Sequence, residues 1–133
     1  IRTILGRKRH FNFWEPSDSK LKWPNKEMPL RREEAEEVWN GRPLKRAYTH
    51  KALNALIQGT SADLTKKAML MLYKELKIVP HLQVHDELDI THADNPLIKS
   101  VVEVMENCVD LEVPLKVSVE KGPSWGEVKE VKI

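Results

Sequence analysis

Asp86 and Glu87 are adjacent carboxylates in the run Gln83-Val84-His85-Asp86-Glu87-Leu88, and they are the side chains of this sequence best suited to chemistry. A rigidly held carboxylate pair suits a hard divalent cation. Mg2+ takes one or two carboxylates and keeps its other positions for water and substrate phosphates. The flanking residues indicate how such a pair would be held. Leu82 and Val84 share one face of an alternating run, Leu88 and Ile90 share a face of a second, and a short break separates them. This pattern predicts a β-hairpin over 81–92 with Asp86 and Glu87 at its tip. The tip lacks the Asn-Gly or Asp-Gly that two-residue turns favour, so turn propensity does not explain its composition. A merely solvated acidic tip is the competing reading. The string His-Asp-Glu-Leu signals endoplasmic-reticulum retention only at a C-terminus, whereas this chain continues to Ile133.

A second chemical feature lies on the longest periodic segment, 49–76. Leu53, Ile57, Thr60, Leu64, Ala68 and Met71 recur at three- and four-residue steps, which predicts a helix with one buried stripe. Asn54, Gln58, Ser61 and Thr65 keep the same spacing on a face that is polar yet uncharged. Amides and hydroxyls of this kind suit the N3 and O2 acceptors of the DNA minor groove. A helix interface with internal hydrogen bonds would use them equally well. Gly59, inside the same helix, costs about 1 kcal/mol relative to alanine, and close approach of another backbone would offset that.

The remaining segments frame these two. Residues 1–5 and 8–13 read as a short hairpin turning at Gly6-Arg7. Residues 15–44 carry Pro16, Pro24 and Pro29, with Pro43 at the end, and read as a Pro- and Glu-rich loop or insertion. Arg31 to Trp39 within it has helical composition, with Glu33, Glu34, Glu36 and Glu37 on a solvated face and Gly41-Arg42-Pro43 ending it. Asn95-Pro96 predicts a helix start, and Leu97, Val101, Val104, Met105 and Cys108 its buried stripe. Val113, Leu115, Val117 and Val119 alternate as a half-buried strand. Gly122-Pro123-Ser124-Trp125 closes the chain with a turn and an aromatic plug. Helix, hairpin, helix and strand in that order imply an α+β fold, an antiparallel sheet covered by helices on one face.

At 133 residues, with 41% hydrophobic and 32% charged residues, the composition fits a soluble globular chain of one domain or less. No apolar run reaches membrane-span length and no signal-peptide pattern opens the sequence, so no membrane partner is expected and a cytoplasmic location is. The lone Cys108 rules out an internal disulfide and, on an apolar stripe, reads as a buried structural thiol. The net charge of +2 hides an asymmetry: residues 1–51 hold 13 Lys/Arg against 7 Asp/Glu, and residues 52–133 hold 9 against 13. A basic stretch joined to an acidic, metal-capable one is compatible with a protein that handles a polyanion.

Four separated blocks agree with one family. Thr3-Ile4-Leu5-Gly6-Arg7-Lys8-Arg9, Asn54 through Asp63, Gln83 through Leu88, and Val113-Pro114-Leu115 through Gly122-Pro123-Ser124-Trp125 resemble the C-terminal palm of family A DNA polymerases, the DNA polymerase I type. The resemblance covers roughly 1–11 and 45–130 and leaves the 15–44 stretch as an insertion. It implies two-metal nucleotidyl transfer, in which a primer 3′-hydroxyl attacks the α-phosphate of a deoxynucleoside triphosphate. By the same resemblance Asp86 is the metal-bridging carboxylate of motif C, and Glu87 is the accompanying acid nearer the outer shell. His85 lies where the family has a histidine near the primer terminus. Asn54 and Gln58 match minor-groove contacts to primer–template DNA, with Gln83 a weaker candidate for that neighbourhood. Arg7 and Arg9 match phosphate contacts, for which surface solubility is an equal explanation. Where the family often has Arg four residues before the Asn, this chain has His50, with Lys51 adjacent.

What the family needs and this sequence lacks is equally informative. The motif A aspartate that shares the two Mg2+ ions has no counterpart here, and no Arg-x-x-x-Lys-x-x-x-Phe/Tyr-Gly fingers pattern occurs. The chain is therefore expected to be inactive alone. It would complete a polymerase with an N-terminal polypeptide carrying motif A and fingers, either as a fragment or as the C-terminal piece of a split enzyme. The insertion and a possible split gene would suit a bacteriophage source. The alternative is a non-catalytic DNA-binding or structural subunit that keeps the palm fold. A stand-alone metal nuclease fits poorly, because Asp63, Glu75 and Asp89 are not spaced to complete a second acidic cluster.

Overall fold

The computed structural model describes residues 1–20, 26–91 and 94–133. Pro24 of the Pro-rich stretch and His92, at the end of the expected hairpin segment, lie outside them. The chain divides into two compact units, Ile1–Gly59 and Thr60–Ile133.

The first unit opens with a tight reversal. Arg2 and Lys8 form an isolated antiparallel bridge, Gly6 N–H donates to Thr3 O at 2.9 Å, and Gly6 has φ +87°. The turn therefore centres on Ile4-Leu5 rather than Gly6-Arg7, with the glycine absorbing the left-handed step that follows it. The described residues of the stretch expected as a loop or insertion contribute to a three-stranded antiparallel sheet. β1 (Phe13–Pro16) lies between β2 (Leu30–Arg31) and β3 (Leu44–Arg46), and α1 (Arg32–Val38) follows β2 directly. Glu33 and Glu34 in the first turn of α1 favour its N-terminal dipole, and Arg32 pairs with Glu36 one turn on. Ala35, Trp39 and Ala47 are buried. Glu15 is buried as well, and its carboxylate is partnered by Lys26 at 2.6 Å and Lys45 at 3.7 Å, as a buried charge requires. A 3-10 turn at Thr49–Lys51 then leads into α2 (Ala52–Met71).

In the second unit α2 passes into a π-helical turn at Leu72–Leu76, closed by Lys77 in the left-handed region at φ +57°. The wider turn lets Leu72 O accept from Ile78 N–H at 3.2 Å. β4 (Leu82–Val84) and β5 (Glu87–Asp89) form a hairpin, α3 spans Asn95–Glu106, and β6 (Val119–Lys121) pairs with β7 (Lys129–Val131). The core is Leu72, Val101 and Val104, with Leu88, Ile90 and Met105 packed against it. Among the described residues the fold is thus α+β, with three helices and three small antiparallel sheets.

Several boundaries differ from expectation for local reasons. α3 is capped by Asp94, whose carboxylate accepts from Leu97 N–H at 2.9 Å, so Asn95 is already helical. Leu115, Val117 and Val119 do alternate half-buried with exposed neighbours, yet only Val119–Lys121 enters a ladder. Val117 N–H goes instead to Glu106 Oε1 at 3.0 Å. Trp125, the expected plug, is 64% exposed. On α2 the apolar stripe closes at Ala68 and Leu72, whereas Leu53 and Ile57 are 69% and 59% exposed. Cys108 is buried as expected, and burial raises its thiol pKa.

Candidate functional site

The hairpin of the second unit carries the acidic pair. Its register matches Leu82 with Asp89, Gln83 with Leu88 and Val84 with Glu87, which leaves His85 and Asp86 as the two turn residues. The tip is therefore His85-Asp86, and Glu87 is the first strand residue. Facing partners in an antiparallel pair project to one side, so Glu87 shares a face with Val84 while Leu88 lies on the other. Leu88 and Ile90 pack on the Leu72, Val101 and Val104 core, which anchors one face of the hairpin and turns the Glu87 face outward.

His85 has φ +51°. This is the backbone that Gly normally supplies at the first position of a tight hairpin turn, and a side chain there costs about 1–2 kcal/mol. The Gln83 side-chain amide braces it, donating from Nε2 to His85 O at 2.5 Å. The missing turn signal in the sequence thus has a structural counterpart: a strained residue beside the acids, held by its neighbour. Backbone outliers of this kind concentrate at functional sites.

Asp86 and Glu87 are exposed, and among the described residues neither enters an ion pair or side-chain hydrogen bond. Their hard oxygens fit part of a Mg2+ coordination shell. No group of three or more His, Cys, Asp or Glu side chains able to hold a metal occurs among the described residues. A cation at the pair would need donors beyond these two carboxylates, such as water and substrate phosphates.

The other candidates lie in the first unit. Asn54 and Gln58 are exposed on α2, one helical turn apart, as is Ser61 farther along. Thr65, the fourth residue of the uncharged stripe, is buried, and its hydroxyl donates back to Ser61 O at 3.2 Å. The stripe available to a ligand is therefore shorter than the sequence predicts. Arg7 Nη2 donates to Gly59 O at 3.3 Å, beside Gln58, and Arg9 N–H donates to Ile1 O at 3.0 Å. Arg7, Arg9, Asn54 and Gln58 thus belong to one unit, and Gln83, His85, Asp86 and Glu87 to the other.

One charged cluster has no counterpart in the sequence reading. Arg42 pairs with Asp18 at 2.9 Å and Glu27 at 2.8 Å, and Ser19 Oγ donates to Glu27 at 2.6 Å. The Arg42 hydrogen bond holds the Asp18 carboxyl below its usual range. Ser19 and then Arg42 do the same for Glu27, while both acids raise Arg42. The partners lie 24 and 15 residues apart in sequence, too far for any local spacing rule to pair them.

Similarity to known proteins follows the same lines. A DNA-directed DNA polymerase of Pseudomonas phage M6 is 46% identical over 80 residues, covering 59% of this chain and 12% of that protein. DNA polymerase I of Bacillus subtilis is 47% identical over 87 residues, covering 59% and 10%. DNA polymerase theta of Drosophila melanogaster is 39% identical over 108 residues, covering 68% and 5%. The chain spans no more than 12% of the length of these relatives. The family model for DNA polymerase family A matches residues 1–127, a span that includes the His85-Asp86 turn, the Asn54 and Gln58 helix and the opening reversal, and the chain belongs to that family.

Proposed function

We propose that this chain is the C-terminal part of a DNA-directed DNA polymerase palm. In this reading it supplies the motif C carboxylates and part of the primer–template contact. The observation that carries the reading is the hairpin tip. A strained His85 and two exposed, unpaired carboxylates stand on strands anchored to a helical core, within a span matched by the family A model. Asp86 would be the principal ligand of Mg2+ and Glu87 the accompanying acid. When bound, the cation supplies charge stabilisation for phosphoryl transfer. His85 borders the position of the primer terminus, and Gln83 keeps the turn in place. Asn54 and Gln58, on the 49–76 helix, donate or accept along the minor groove without reading the base pair. The 15–44 stretch is an insertion on this frame, and 81–92 is the catalytic hairpin.

One acidic pair does not complete a two-metal site. These residues therefore work with a second piece of polymerase carrying motif A and the fingers, whether on the same or a separate polypeptide, on primer–template DNA and deoxynucleoside triphosphates. Primer extension by the chain alone, by the partner polypeptide alone and by their mixture tests this reading. Extension only by the mixture is expected, and Asp86→Asn should abolish it while co-purification with the partner persists. Extension by the isolated chain, or near-normal turnover by the Asp86→Asn mixture, would overturn the assignment. A mixture that binds DNA but never extends it would mark a non-catalytic palm-like subunit.

A further inference from the structure

Gly59 sits inside α2, where glycine is among the poorest helix formers, and its surroundings give a reason. A β-carbon placed on Gly59 would lie 2.8 Å from Thr3 Cγ2, closer than two carbons pack. The methyl cannot simply swing away. Thr3 Oγ1 accepts from Arg7 N–H at 3.0 Å and Thr3 N–H donates to Arg7 O at 2.9 Å, so rotating the side chain breaks the hydroxyl bond. Arg7 then returns to the same helical residue, with Nη2 donating to Gly59 O at 3.3 Å. Three residues are thus linked to one another: the hydroxyl orders the reversal, the methyl seats on the bare helix backbone, and the guanidinium grips the Gly59 carbonyl.

We infer that Thr3, Arg7 and Gly59 form a latch that fixes the opening reversal against α2, making Arg7 a positioning residue for Gln58 and Asn54 rather than a phosphate contact. Gln58 adjoins Gly59, and Asn54 lies one turn before Gln58, so a shift in the latch moves both amides. The DNA part of this inference rests on the proposed polymerase reading, while the latch itself does not.

The test measures anisotropy of a labelled primer–template duplex across a salt series, with thermal melts in parallel, for the 133-residue chain and its variants. Gly59→Ala should weaken duplex binding by about tenfold or more, because small displacements of positioned groups are costly. Thr3→Ser deletes the methyl and keeps the hydroxyl. Alone it loses the methyl packing and should bind a few-fold more weakly than the parent, whereas in combination with Gly59→Ala, whose methyl takes up the vacated space, it should raise both affinity and melting midpoint well above those of Gly59→Ala. Arg7→Ala should lower affinity with an unchanged salt slope, whereas loss of a true phosphate contact would reduce the slope by about 0.9. Failure of Thr3→Ser to rescue Gly59→Ala, or a slope reduced by that amount, would overturn the inference. If Gly59→Ala does not fold, recovery of its helical circular dichroism by Thr3→Ser supports the latch and non-recovery overturns it. A parent chain that binds no duplex would remove Asn54 and Gln58 as duplex contacts of the chain on its own and leave the polymerase reading to the extension assay, while the melting cycle would still decide the latch.

Discussion

At the scale of single residues, the hairpin tip shows how far composition alone reaches. Alternation around Asp86 and Glu87 was enough to predict a hairpin, because period two is a direct consequence of strand geometry. It could not fix which two residues turn, since Asp86-Glu87 and His85-Asp86 both leave the same faces inside and outside. The ladder register decides that point by pairing Val84 with Glu87, and the backbone strain it places on His85 is invisible in a list of residue types. His85→Gly would remove the Cβ conflict at φ +51°, so the hairpin should keep or gain stability by up to about 1 kcal/mol. In the reconstituted polymerase the same change should lower extension, since the imidazole is lost from the tip. Urea unfolding of the variant, set beside its extension rate, measures both. A variant that is destabilised and fully active would contradict each half of the expectation.

At the scale of elements, α2 separates what periodicity predicts from what packing delivers. The apolar stripe was legible, yet Leu53 and Ile57 remain exposed while Leu72, beyond the predicted stripe, is fully buried. Periodicity reports which residues share a face, not whether another element covers that face. Leu72→Ala should therefore cost about 2–5 kcal/mol, the usual range for a buried leucine, whereas Leu53→Ala should stay within about 0.5 kcal/mol. Chemical denaturation of the two variants side by side checks the contrast. The cluster of Asp18, Glu27 and Arg42 makes a separate prediction. Both carboxyls are depressed in the folded chain, so their contribution to stability is present above their ordinary values of 3.8 and 4.5 and is lost as the pH falls through and below them. The melting difference between the parent and Arg42→Gln should be open at pH 7 and close toward pH 3. A difference that stays constant across that range would mean the cluster contributes nothing through its charges. Its members are spread along a stretch read as a loop or insertion, where proline punctuation and one short Glu-rich helix were the local signals and neither pairs residues 15 or 24 apart.

At the scale of the whole molecule, the charge asymmetry, the family blocks and the expectation of uncovered apolar surface on a piece of a palm were available from the sequence, while the identity of the exposed apolar residues was not. Leu53, Ile57, Leu70, Tyr73, Val79 and Leu82 are all exposed. Apolar surface of this extent favours association, either with a partner polypeptide or between copies of the chain. Sedimentation velocity over a concentration series should show reversible self-association of the isolated chain, suppressed when the partner is present. A strictly monomeric chain at every concentration would count against a cut palm.

The burial of Cys108 has a practical consequence. It is the sole cysteine of the chain, it is enclosed, and its thiol is shifted away from the reactive thiolate. A cysteine introduced at an exposed position such as Gln58 or Asn54 would therefore be the preferred target for maleimide at neutral pH, with the native sulfur left in place. A dye attached there would report duplex arrival directly on the α2 face proposed to meet the groove.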